Sequence, residues 1–296
     1  MNADGSGLRK VTGTDAELPK WSPDGRKLVF VATLSSVDSS GETVYSNRAT
    51  IDEIGVDGRS LRVITTTGFT GDVEWSPNGR WIAFDAGGDP CACRANANLE
   101  VVHQDGTGVT AASNVDPGVF AWSPDGRRLA FARSVTGHAS IYVVGFAPRS
   151  KPKRIDVTLG EDVTSLSWSR DGTQIAFVSG SYDEQGQPLV DGHVEVVNAD
   201  GRGLPRIVSA LPHYNGVASG VAWLPGAAHS LLYNTDKGIY IVSLRTGGSH
   251  RINSSASAPP VPSPDGKRFL FAPYTSSGKA AIYVQSASAS AAHRLT

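Results

Sequence analysis

The chain has 296 residues, 40% of them hydrophobic and 19% charged, with a formal net charge of −1. That composition supports a packed core and argues against wholesale disorder, while the charge balance leaves no electrostatic footprint for nucleic acid or an anionic membrane surface. No apolar run approaches the ~20 residues that span a bilayer as a helix.

Met1 leads straight into Asn-Ala-Asp-Gly, with no charged and apolar leader. Matching Asp4-Gly5 to Asp57-Gly58 and Asp200-Gly201 places residues 1–12 at the end of a sheet whose earlier part is missing. The reading therefore expects the true start upstream, with 1–12 either a stray strand or the outer closing strand of the last repeat. Residues 13–296 then form one domain.

Within it, Trp21-Ser-Pro-Asp-Gly25 returns as Trp75-Ser-Pro-Asn-Gly79, Trp122-Ser-Pro-Asp-Gly126 and Trp168-Ser-Arg-Asp-Gly172. Degenerate copies follow at Trp223-Leu-Pro-Gly226 and Pro262-Ser-Pro-Asp-Gly266. The intervals are 54, 47, 46, 55 and 39 residues. Ser-Pro-Asp-Gly suits a type I turn, because Pro presets φ at the second position and Gly takes the exit conformation. After each turn comes an alternating strand, carrying in chain order Leu28 and Phe30, Ile82 and Phe84, Leu129 and Phe131, Ile175 and Phe177, Leu231 and Tyr233, Phe269 and Phe271.

Third strands are expected at Ile51–Ile54, Leu99–Val102, Ile141–Val144, Val194–Val197, Ile239–Val242 and Ile282–Val284. Shorter fourth strands follow, as at Leu61–Thr65, Arg206–Ser209 and His293–Thr296. Four antiparallel strands per repeat, without helices, define the fold class: an all-β, six-bladed β-propeller of four-stranded antiparallel blades. The repeat Trp residues are expected to pack between neighbouring blades, with Trp81 off the repeat position.

These turns, with the Asn-Ala-Asp-Gly strand end, resemble the WD-like repeat of the TolB-like β-propeller family over nearly the whole chain. Arg170 in the place of Pro, the loose Pro225-Gly226-Ala227 turn and Pro262 in the place of Trp depart from it. The resemblance implies a periplasmic or secreted interaction platform, hence an extracytoplasmic location and a protein or peptide partner.

Strand order sorts the connections onto two faces. Tight Pro-Asp-Gly and Asp-Gly turns share one face, which leaves little room there for chemistry. Long second-to-third loops, expected at Ala32–Thr50, Ala86–Asn98 and Ser179–Asp191, share the other with the blade-to-blade connections. Those connections carry Asp15, Glu17, Asp72, Asp116, Glu161 and Asp162, with Asn215 and Ser255 in comparable places and His213 nearby. Together they make candidates for an acidic channel mouth that binds a cation or a basic peptide segment; turn-capping acids facing water are the plainer reading.

Catalytic motifs are absent: there is no Gly-x-Ser-x-Gly elbow, phosphate loop or dinucleotide fingerprint. The seven His show no His-x-x-x-His spacing. Cys91 and Cys93 sit one residue apart in the second-blade insertion, and their oxidation state is left open. The basic run Arg149, Lys151, Lys153, Arg154 reads as a solvated turn.

No cofactor is indicated, although a divalent cation in the channel stays open. The leading expectation is a non-catalytic protein- or peptide-binding scaffold. The alternatives are the propeller of a larger peptidase-type protein, or a metal-dependent lyase or lactonase with its site in the channel.

Overall fold

The computed structural model describes residues 10–13, 16–37, 43–68, 71–87, 98–113, 119–135, 138–146, 150–155, 162–180, 192–211, 220–225, 229–235, 237–254, 259–263, 265–272, 282–288 and 292–295. The first sheet comprises β1 (Ala16–Trp21), β2 (Lys27–Val37), β3 (Thr43–Gly55) and β4 (Arg62–Gly68). The second holds β5 (Val73–Trp75), β6 (Trp81–Ala86), β7 (Asn98–His103) and β8 (Thr110–Ser113). In the third are β9 (Phe120–Trp122), β10 (Arg128–Val135), β11 (His138–Gly145) and β12 (Lys153–Arg154). The fourth has β13 (Asp162–Trp168), β14 (Gln174–Gly180), β15 (Gly192–Asn198) and β16 (Arg206–Leu211). The fifth runs β17 (Gly220–Trp223), β18 (Ser230–Thr235), β19 (Gly238–Ser243) and β20 (Ser249–Asn253). The sixth closes with β21 (Val261–Pro262), β22 (Arg268–Phe271), β23 (Tyr283–Ser286) and β24 (Ala292–Arg294). Every sheet is an antiparallel meander in chain order, and the six together form the expected six-bladed propeller arrangement.

The repeated turn owes its shape to its own side chains. Ser123 donates its hydroxyl to Asp125 at 2.6 Å, Asp125 accepts the Arg127 amide at 3.0 Å, and the Gly126 amide closes on the Ser123 carbonyl at 2.8 Å. Gly126 sits at φ 63°, left-handed backbone that a side chain adopts only with strain. The Ser22, Ser169 and Ser263 turns repeat the same bonds, and Asn78 replaces the acid in the second sheet. The Ser123 hydroxyl and the Arg127 amide hold the Asp125 carboxyl below the usual range, in that order of importance. Asp125→Ala is expected to cost ~1 kcal/mol in chemical denaturation, the usual worth of such a local bond set; a change too small to measure would mean the turn is held by backbone alone.

Strand alternation then sends one row of side chains towards the preceding sheet and the other towards the next. Ile82 and Phe84 of the second sheet, both fully buried, pack on Val29, Val31 and Ile51 of the first. Leu129 and Phe131 meet Leu99 and Val101 in the same way, and Ile175 and Phe177 meet Ala130 and Ile141. Leu231 and Tyr233 pack on Val194 and Val196, and Phe269 and Phe271 on Leu232 and Ile239. Indole N–H groups add a backbone clasp across three boundaries. Trp122 donates to the Glu74 carbonyl at 3.3 Å, Trp168 to Ala121 at 3.0 Å and Trp223 to Ser167 at 2.9 Å.

Two expectations need correction. The stretch Ala32–Thr50 is not mainly a loop: β2 runs on to Val37 and pairs with β3 from Thr43, across a register shift between Thr33 and Ser35. The β-branched and aromatic residues Thr33, Val37, Thr43, Val44 and Tyr45 favour extended backbone and let the hairpin run on past the core of the sheet. The other correction is Trp21, which is 62% exposed, whereas Trp75, Trp122 and Trp168 are 7–8% exposed. Its strand is irregular, with a register shift between Glu17 and Lys20 and a left-handed Leu18 at φ 52°.

Candidate functional site

The residue preceding each repeat Trp points away from the Trp side of its inner strand. These residues, Lys20, Glu74, Ala121 and Ser167, line one cavity of about 410 Å³ together with Leu166, the repeat indoles Trp21, Trp75, Trp122 and Trp168, and the turn residues Pro77 and Pro124. Four successive inner strands contribute to it, which places it on the axis. A second cavity, of about 770 Å³, lies beside the tight turn of the fourth sheet, against Arg170, Trp223, Pro225, His229 and Pro262. The tight-turn face therefore has more room than its turns suggest, because neighbouring turns stand apart even though each is internally bonded.

A charged cluster borders the axial cavity, with Lys20 and Glu74 in its lining. Lys20 Nζ lies 3.2 Å from Asp72 Oδ1 and 3.7 Å from Glu74 Oε1. Burial alone would lower the Lys20 amine, but Glu74 and then Asp72 outweigh it and hold the amine above its ordinary range. Desolvation pushes the Glu74 carboxyl up to about 7; Lys20 opposes the rise and the Asp72 charge reinforces it. About a third of the Glu74 side chain, 32%, still touches solvent. The group thus sits in a cavity that solvent reaches rather than in a dry core, and its carboxyl raised to about 7 brings its charge change near neutral pH.

The Asp72 backbone is fixed from behind. Its carboxylate accepts the Val73 amide at 2.9 Å, while Asp85 of β6 accepts the Gly71 amide. An added Cβ at Gly71 would come within 2.6 Å of the Asp85 carboxylate, so a side chain there would push Asp85 aside.

Of the acids expected at the channel mouth, Asp72 lies in this cluster. Glu17 is exposed within β1, paired with Val31, and Asp162 opens β13 opposite Gly180. Asp15, Asp116, Glu161, His213 and Asn215 lie outside the described residues, as do Cys91 and Cys93. Sequence reasoning missed Lys20, Glu74 and the exposed Trp21. The available signal was their place in the repeat: the position before Trp carries Lys, Glu, Ala, Ser, Ala and Val in turn, and only its first two occupants are charged.

Among the described residues, no group of three or more His, Cys, Asp or Glu side chains could hold a metal ion. The channel cluster itself does not fit a divalent ion, because the Lys20 ammonium already stands between the two carboxylates.

The fold and this channel define a β-propeller with a distant, partial resemblance to TolB-like and WD40-type propellers. The WD domain, G-beta repeat family matches residues 155–185. TolB from Acinetobacter baumannii superposes with a TM-score of 0.53 at 16% identity, over 88% of this chain and 61% of that one. An oligogalacturonate lyase in complex with manganese gives a TM-score of 0.69 at 14% identity, over 96% of this chain and 79% of that one. Prolyl oligopeptidase B from Galerina marginata gives 0.64 at 12% identity, over 95% of this chain and 41% of that one. The chain thus spans about three-fifths of the TolB structure and two-fifths of the peptidase. No curated protein matches it. At these identities the likeness is one of fold. No helix among the described residues is long and apolar enough to cross a membrane.

Proposed function

We propose that the protein works through its axial channel on a ligand that enters it, rather than only through loops at the rim. The observation carrying this reading is the Lys20–Asp72–Glu74 cluster in a bore walled by indoles, with Glu74 poised to take up or release a proton near neutral pH. The better superposition on the lyase than on TolB supports it.

An acidic sugar oligomer suits these groups. The Trp21 indole offers a flat face for a sugar ring, Lys20 a positive charge for a uronate carboxylate, and Glu74 a base for the adjacent carbon-bound proton. Elimination would move that proton to Glu74 and break the carbon–oxygen bond to the next sugar, whose departing oxygen takes a proton from solvent, leaving a carbon–carbon double bond. Incubation with oligogalacturonides, with and without added manganese, should produce the ultraviolet absorbance of that double bond. Glu74→Gln should reduce the rate by ~100-fold or more. If no oligogalacturonide is cleaved under either condition, the reading fails.

A second reading, a peptide-binding scaffold in an extracytoplasmic compartment, is favoured by the charge of the bore, in which two carboxylates face one ammonium. A basic peptide would then compete with Lys20 for Asp72 and Glu74. Titration calorimetry with an oligo-lysine peptide separates the two readings: heat of binding that Asp72→Asn and Glu74→Gln abolish, without any cleavage of sugars, selects the scaffold.

A further inference from the structure

The sixth repeat carries Pro262 where the five before it carry Trp, and that exchange leaves a hollow of definite shape. At three boundaries the repeat Trp donates its indole N–H to the carbonyl of the residue before the preceding Trp. The acceptors Glu74, Ala121 and Ser167 stand opposite Ala83, Ala130 and Ala176 of their second strands. Ala222 stands opposite Leu232 in the same register, so its carbonyl is the acceptor that an indole at position 262 would use. A proline ring is smaller than an indole and has no N–H to give.

The cavity of about 770 Å³ lies where that ring is missing, with Ala222, Trp223, Pro225 and Pro262 all in its lining. The sheets do not draw together to fill it, because the fifth and sixth already touch at both ends of their inner strands. Gly220, which opens β17, lies against the Pro259 ring, and Gly266 lies against the Pro225 carbonyl. A side chain at either glycine would overlap its neighbour. Backbone contact therefore sets the spacing, and the hollow between the two contacts is built in. Its volume falls within the ~300–1,000 Å³ usual for small-molecule sites.

Two further departures from the repeat bring polar groups to the same hollow. Arg170 stands where the first three repeats carry Pro23, Pro77 and Pro124, and it lines the cavity. Its neighbour Asp171 is engaged within its own turn, accepting the Ser169 hydroxyl at 2.6 Å and the Thr173 amide at 3.1 Å. That leaves the exposed guanidinium to face whatever occupies the cavity. His229, also in the lining, holds φ 68°, a left-handed backbone that side chains rarely adopt. Its carbonyl is fixed by the Leu244 amide at 2.7 Å, which keeps the imidazole beside the hollow.

We propose that this hollow binds a small indole carboxylate: a planar ring bearing an N–H, with a carboxylate on a short chain. The ring takes the seat of the missing repeat Trp and donates its N–H to the Ala222 carbonyl, as Trp223 donates to Ser167. The carboxylate meets the Arg170 guanidinium, with the His229 imidazole beside it. The site adjoins the axial cavity at Ser167 and Trp168 and includes neither Lys20 nor Glu74. It therefore holds whichever ligand the channel takes.

Titration of indole-3-propionate, followed by ligand-observed NMR, tests the site against two altered probes. One is 1-methylindole-3-propionate, which lacks the N–H; the other is tryptamine, which carries an ammonium in place of the carboxylate. The unaltered protein should bind indole-3-propionate ~10-fold or more tightly than either. Arg170→Pro, which restores the residue of the other repeats, should remove most of the preference over tryptamine. Pro262→Trp should fill the seat, abolish binding and raise the unfolding midpoint, while Glu74→Gln should leave binding unchanged. The site is overturned by no binding of the acid, by equal binding of the N-methyl probe, by undiminished binding to Pro262→Trp, or by loss of binding in Glu74→Gln. The comparison of probes needs no variant, so it decides the matter should Pro262→Trp fold poorly.

Discussion

Phe84→Ala is expected to lower the unfolding free energy by ~3–5 kcal/mol, the range for deleting a fully buried aromatic ring. Phe84 is 0% exposed and fills the wedge between the first two sheets with Ile82, Val31 and Ile51. The first sheet's Val29 and Val31 are held by their own strand pairing with β3, so neighbours collapse only partly into the vacated space and the cavity adds to the lost transfer energy. Since whole domains are stable by only ~5–15 kcal/mol, the variant should sit near the edge of folding. Urea denaturation provides the measurement, with the midpoint shifting and the slope unchanged. Leu204→Ala serves as the control, because Leu204 is 79% exposed and should change stability by no more than ~0.5 kcal/mol. A cost below ~1 kcal/mol for Phe84 would mean that the sheets are not wedged together by these rings.

The same wedge logic explains why so much of the fold was legible in the sequence. A ring that must fit between two sheets has to recur at one offset from the turn that sets the strand, so Phe30, Phe84, Phe131 and Phe177 announce themselves through spacing. The Ser-Pro-Asp-Gly turns are equally local, as the bonds from Ser123 to Asp125 and from Gly126 back to Ser123 span only two and three residues.

The candidate site was far less legible, because Lys20 and Glu74 lie in different repeats and meet only once the sheets are arranged around the axis. Trp21 failed as an expectation for a related reason. Its motif is intact, but the packing of a repeat Trp depends on the sheet before it, and in the first repeat that neighbour is the irregular sixth-to-first boundary. The extended β2–β3 hairpin was a simpler miss, since length alone was read as loop while the strand-favouring Thr33, Val37, Thr43, Val44 and Tyr45 went unused.

Glu74→Gln is expected to make the protein more stable in mildly alkaline buffer and to leave it unchanged in mild acid. The Glu74 carboxyl ordinarily titrates near 4.5 and in the fold is raised to about 7. Between those values the folded chain keeps a proton that the unfolded chain has released, so stability is full below 4.5 and falls as pH rises through 7. A shift of that size corresponds to ~3 kcal/mol, and solvent reaching a third of the side chain reduces it to ~1–2 kcal/mol.

Glutamine keeps the shape of the neutral acid and does not titrate, so the variant should lack this decline. Lys20 stays charged throughout, since the carboxylates hold its amine above the ordinary range. The other charged group facing Glu74 from its own strand connection is Asp72, while Ala121 and Ser167 bring none from the third and fourth sheets. Asp85 of β6 is turned to the Gly71 amide. Turn acids such as Asp125 work in the opposite sense: their depressed carboxyls contribute stability that is lost as pH falls through the acid range. The unaltered protein should therefore show a stability maximum on the acid side of neutrality, and Glu74→Gln should extend that maximum into a plateau towards pH 8. Thermal denaturation at pH 5 and pH 8 decides it. If Glu74→Gln proves less stable at pH 8, attraction to Lys20 outweighs desolvation, and the carboxylate is a structural partner of the lysine rather than a group held ready to exchange a proton.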